Sequence, residues 1–162
     1  MTAIVFERNK YKSTKEKTME STKKNLKITS ILVLVFVGIS LIDVITAIIF
    51  GDFSSVTTPE GAPENTLLIA KIVVLVLAGL LLLPQVYVGI KGLQAANAPV
   101  STKAHIVWAK ILFVFSVIAL ISPASELFKK GDTFENIADL LSTLVEVVLF
   151  FDYIRYAKAL SK

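Results

Sequence analysis

The sequence predicts an all-α integral membrane protein: a four-helix bundle of transmembrane helices running up-down-up-down, with both termini cytoplasmic. Three observations predict it. Four apolar runs, residues 28–50, 67–90, 106–122 and 137–156, fill most of the 162 positions. Their 23, 24, 17 and 20 residues, at about 1.5 Å each, match a hydrocarbon core of roughly 30 Å. A hydrophobic share of 54% with mean hydropathy +0.71 lies above the roughly 45–50% apolar share of soluble domains. The basic residues also divide unevenly between the two ends of the spans.

Residues 1–27 carry eight basic side chains: Arg8, Lys10, Lys12, Lys15, Lys17, Lys23, Lys24 and Lys27. This segment is read as a disordered cytoplasmic tail ahead of a transmembrane domain over residues 28–162. Met19 offers an alternative start before a shorter tail. The first apolar run is too long for a signal-peptide core and has no small-x-small cleavage pattern, so it is read as a retained anchor. The first loop has no Lys or Arg but carries Asp52, Glu60 and Glu64. The second loop supplies Lys91, Lys103 and the single histidine, His105, which a solvated, cap-like role would suit. Lys129 and Lys130 fall in the third loop, and Arg155, Lys158 and Lys162 close the chain. With the N-terminus inside, thirteen Lys and Arg lie on the cytoplasmic side and two outside, the bias that sets orientation. A multi-pass protein of the cell membrane follows.

Pro99 and Ser101 read as a turn and then an N-cap for the third helix, and Pro123 and Gly131 punctuate the third loop. Pro84, followed by Gln85, is a candidate kink in the second span, with Gln85 available to the carbonyls that proline frees.

Charges inside spans are costly and need partners. The first three runs hold one each, Asp43, Lys71 and Lys110. Counted along straight helices, Asp43 and Lys71 approach one boundary, and Lys110 and Asp152 lie at matching depth near the other. Both are candidate ion pairs, with outward snorkelling of the lysines or an Arg155–Asp152 contact as competitors. Glu146 has no basic residue at its depth; its nearest candidates are the hydroxyls of Ser142, Thr143 and Ser116. In that setting a neutral carboxyl is expected. Asp139, Ser142, Thr143, Glu146 and Tyr153 share one face of the fourth helix, opposite Leu140, Leu141, Leu144, Val148 and Phe151. Ser40, Asp43 and Thr46 form a shorter stripe on the first.

The chain has no cysteine and no phosphate-binding loop, nucleophile elbow or metal-ligand cluster. No catalytic residue, metal or cofactor is expected, and the reading is non-enzymatic. The basic tail has only Phe6 and Tyr11 for stacking, so nucleic acid is not an expected partner. Expected partners are the bilayer, another membrane protein or a second copy, and anionic inner-leaflet lipid at the basic tail. An accessory, scaffold or protective subunit fits these features best. The alternative is an oligomeric transporter or channel-like subunit using the polar face around Glu146.

Overall fold

Where lipid replaces water, a backbone stays satisfied only by bonding within its own segment, so long apolar runs become helices. A computed structural model describes residues 2–50, 65–98, 103–130 and 134–161, with side chains from Lys15 onward except at 67, 126, 128–130 and 134–136. Within these residues the regular elements are all helices: α1 (Thr2–Phe50), α2 (Thr66–Asn97), α3 (Ala104–Ala119), α4 (Ile121–Lys130) and α5 (Phe134–Leu160). Three stretches are long and apolar enough to cross a membrane: Lys15–Phe50, Leu68–Asn97 and Ala104–Ser125. At 27 residues α5 has the length, but each of its 18-residue windows holds three or more charged side chains.

Boundaries differ from the sequence reading at four places. The first helix continues through residues 2–27, where a disordered tail was expected. Extending a nucleated helix is cheap, and this segment is rich in Lys and Glu, with Glu20 and Lys24 at helical i,i+4 spacing. Its last turns are also held by tertiary packing, since Leu26, Thr29 and Ser30 are buried. The second helix continues past residue 90 to Asn97 and runs uninterrupted through Pro84. It stops where Ala98, which precedes Pro99, turns extended at φ −145° and ψ 152°, as a residue before proline prefers. Lys103 is the cap residue of α3 and makes no side-chain cap bond; Ser101 lies outside the described residues. Finally, Pro123 sits in the first turn of α4 and not in a loop. Lacking an N–H for the Ala119 carbonyl and crowding it, Pro123 forces the helix to restart after Leu120. Gly131 lies outside the described residues.

Helix α1 packs on α2 and α5, and α3 packs on α2 and α5, with α2 and α5 also touching across the middle. Around the bundle the order is therefore α1, α2, α3, α5, with α4 laid against α5 and α3. Gly92 faces Ser30 while Gly89 faces Leu34, so α1 and α2 run antiparallel. His105 meets Tyr153 and Phe113 meets Phe151, which sets α3 against α5 in the same sense.

The core is confined to one end. Leu26, Val33, Val88, Ala96, Ile106, Ala109, Phe150, Tyr153 and Ala157 form it. Toward the opposite end the hairpin of α1 and α2 is apolar but bare: Leu81 is 72% and Phe50 80% exposed. Since apolar side chains gain little by leaving lipid, helices within it are held by close contact and interhelical hydrogen bonds. The packed end has the small residues such contact needs. A Cβ on Gly92 would collide with the Ser30 hydroxyl and the Tyr153 ring, and one on Gly89 would lie 2.6 Å from the Leu34 side chain.

Candidate functional site

The carboxyl group of Glu146 on α5 has a partner on α2. Gln85 Nε2 donates to Glu146 Oε1 at 3.2 Å, and both residues are half-buried. Ser116 of α3 lies against the same carboxyl, while its hydroxyl donates to the Leu112 carbonyl at 3.0 Å. Three helices thus converge on one carboxyl group. Ser116 was an expected neighbour; Gln85 was expected to serve the carbonyls freed by Pro84, and its amide is instead spent on Glu146.

The rest of the stripe on α5 divides. Thr143, Glu146 and Tyr153 are on the packed side, with Phe150 and Ala157 continuing it, while Leu141, Leu144, Val148 and Phe151 are exposed, as the helical period implies. Asp139 and Ser142 are exposed too and do not join the Glu146 cluster. Thr143 Oγ1 donates to the Asp139 carbonyl at 2.8 Å, within its own helix.

A second polar node lies two turns further along α5, which the sequence reading did not find. Tyr153 is fully buried and donates through its hydroxyl to the Val88 carbonyl at 2.9 Å. Beside it are Ser30, whose hydroxyl donates to the Leu26 carbonyl at 2.7 Å, and the bare backbone at Gly92. His105 is buried with its ring edge-on to Tyr153, 6.2 Å between centroids; the expected solvated, cap-like position is not where it lies. Among the described residues no buried side-chain nitrogen or oxygen lacks a hydrogen-bond partner.

The matching of depths proved a poor guide to ion pairs. Asp43 is exposed and makes no ion pair among the described residues, so the expected Asp43–Lys71 contact is not formed. On α1 the buried and half-buried line runs through Leu26, Ser30, Val33, Val37, Ser40 and Val44. At about 100° per residue Asp43 lies roughly 100° around from it. Likewise Lys110 is exposed, about 130° around from the line of His105, Ala109, Leu112 and Ser116, and meets no acid among the described residues. Arg155 lies over the Tyr156 ring at 5.9 Å and not against Asp152, which is half-buried.

Among the described residues no group of three or more His, Asp or Glu side chains converges as a metal site would require. What the arrangement does chemically is to spend hydroxyl, amide and carboxyl groups on tying helices together. No family model, curated protein or solved structure matches this chain.

Proposed function

We propose that this chain is a four-span protein of the cell membrane, both termini cytoplasmic, that works by binding another membrane component and not by catalysis. The observation that carries this reading is the uneven packing of the bundle. The core and both polar nodes gather at one end, while the other halves of α1 and α2 present exposed apolar side chains such as Ile42, Leu68 and Leu81. A protein whose interior polar groups already have partners, and whose longest helices project bare, has packing surface to offer and little chemistry.

Orientation rests on the Lys and Arg bias in the sequence. Exposed Lys23, Lys24, Lys27, Lys103, Arg155 and Lys158 stand at the packed end, which supports that end as the cytoplasmic one. The span over residues 137–156 is the costliest of the four. Its Glu146 is offset by Gln85, and its last charged residues lie near the boundary where long side chains reach water. Gln85 also weighs against a transport role for Glu146, because a carboxyl clamped between helices is poorly placed to exchange an ion.

A photo-reactive residue placed at Leu81 or Ile42 in native membranes tests the reading. A discrete protein adduct from these positions, and none from Lys158, is expected. A gently solubilised lone monomer that crosslinks to no protein would end the accessory-subunit reading. Flux through reconstituted vesicles that falls on Glu146→Gln would favour transport instead.

A further inference from the structure

We propose that the groove between α2 and α3 holds one acyl chain of an anionic phospholipid whose phosphate is engaged by Lys91. The inference rests on the membrane placement proposed above. A surface groove of about 340 Å³ is lined by Leu80, Leu83, Pro84 and Tyr87 of α2 and Trp108 of α3. Residues 80, 84, 87 and 91 follow i, i+4, i+7 and i+11, so the α2 wall of the groove leads along one helix face to Lys91.

Length fits a lipid. From Leu80 to Lys91 the helix rises roughly 16 Å, against about 15 Å for one leaflet's share of the hydrocarbon core. With Lys91 at the headgroup level, Leu80 therefore stands near the midplane. Tyr87 and Trp108 line it toward that level, where amphipathic rings are favoured. Pro84 matters here as well, because its ring leaves the helix surface without a long side chain and widens the groove between Leu80 and Tyr87.

Charge fits an anion. One turn beyond Tyr87 on the same helix face, the Lys91 ammonium donates to Gln94 Oε1 at 2.9 Å. That hydrogen bond uses one of its three donors, leaving two for phosphate oxygens. At the same end of the bundle α1 and α3 add exposed Lys27 and Lys103, so the surrounding field attracts an acidic headgroup.

The test is native mass spectrometry of the full chain, purified in mild detergent with equal phosphatidylglycerol and phosphatidylcholine of identical acyl chains. Wild type should retain phosphatidylglycerol at least several-fold over phosphatidylcholine. Lys91→Gln should abolish that preference, Leu80→Trp should fill the groove and lower retention of both lipids, and Lys158→Gln should leave the preference intact. Equal retention of the two lipids by wild type would overturn the proposal. So would a loss on Lys158→Gln as large as on Lys91→Gln, or a lipid-free dimer with Trp108 buried between copies. Circular dichroism of each variant confirms that the helices persist. Alkaline extraction of membranes from the same cells separates the two failures: extracted wild type ends the membrane placement, whereas resistant protein without lipid preference ends only this site.

Discussion

Gln85 on α2 and Glu146 on α5 meet 61 positions apart in sequence, amide to carboxyl at 3.2 Å. Both stand among predominantly apolar neighbours, where lipid offers neither group a hydrogen-bond partner. Removing either should therefore cost more than its absence alone, because the survivor is left buried and polar. A double-mutant cycle with Gln85→Leu and Glu146→Leu, read by detergent unfolding, should give a coupling of about 0.5–1.5 kcal/mol. Glu146→Gln should keep most of the stability, since its amide still accepts from Gln85. Additive single losses would mean that the two helices are not joined here.

Glycine substitutions should separate close helix contact from mere helix propensity. Gly92→Ala places a methyl group against Ser30 and Tyr153, both fixed in the core, and should lower stability by roughly 1–3 kcal/mol. Gly89→Ala meets the Leu34 side chain closely and the Ser30 carbonyl at an ordinary 3.4 Å; the Leu34 side chain is half-buried and can turn aside, so the change should cost less. Gly38→Ala meets nothing within 4 Å and should be neutral or stabilising by up to about 1 kcal/mol, as alanine favours helix. Thermal unfolding of the three variants in one detergent gives the ranking; equal effects at Gly38 and Gly92 would contradict the α1–α2 contact.

Tyr153→Phe removes one hydroxyl and little volume. The Val88 carbonyl loses the α5 donor, so the change should destabilise by about 0.5–1.5 kcal/mol. It should also loosen α2 against α5 without unfolding either helix, seen as faster amide exchange near Val88 with unchanged helical circular dichroism. Tyr156→Phe, on a half-buried ring beneath Arg155, is the control and should be close to neutral.

Depth along a helix is legible in a sequence, but rotation about its axis is legible only where the faces differ. On α5 they differ, so its period put Thr143, Glu146 and Tyr153 on the packed side and Leu144, Val148 and Phe151 outside. Over residues 31–50 of α1 nearly every residue is apolar, so nothing in their hydropathy showed that Asp43 points away from the core. Length had the same limit: apolar runs locate a span but not the polar turns that continue it, which is why α2 reached Asn97 and α1 reached back to Thr2. One signal was present and unused. Gly89, Gly92 and Ala96 recur at i, i+3 and i+7 on α2, a line of small residues of the kind that marks close helix approach. Gln85 as the partner of Glu146 had no comparable signal, because it depends on how α2 and α5 meet across the bundle.

Since Lys110 and Asp152 share a depth but not a facing direction, Lys110→Ala and Asp152→Ala should be additive within about 0.3–0.5 kcal/mol. Each single change should be small, because Lys110 is exposed and Asp152 only half-buried. A coupling near 1 kcal/mol or above would require α3 to turn by about a third of a revolution, bringing Lys110 inward at the expense of Ala109 and Leu112.

The chain's lack of cysteine makes orientation directly measurable, since any introduced thiol is the only one present. Single Cys replacements of Lys24, Asn65 and Lys158 all fall on exposed positions, Lys24 ahead of the first apolar run and the other two at helix ends. With four spans and both termini inside, a membrane-impermeant maleimide added to intact cells should label Asn65→Cys alone. Lys24→Cys and Lys158→Cys should react only after permeabilisation. The reverse pattern would invert the protein and with it the cytoplasmic assignment of the packed end. Labelling of Asn65→Cys and Lys158→Cys together, with Lys24→Cys protected, would mean that only the three most apolar stretches cross. Helix α5 would then have to lie on the other side of the membrane from the residues of α1 and α3 on which it packs near Phe150, Tyr153 and Ala157, and that packing would be wrong. Because α5 carries the costliest charge in the bundle, the thiol at position 158 is the decisive one of the three.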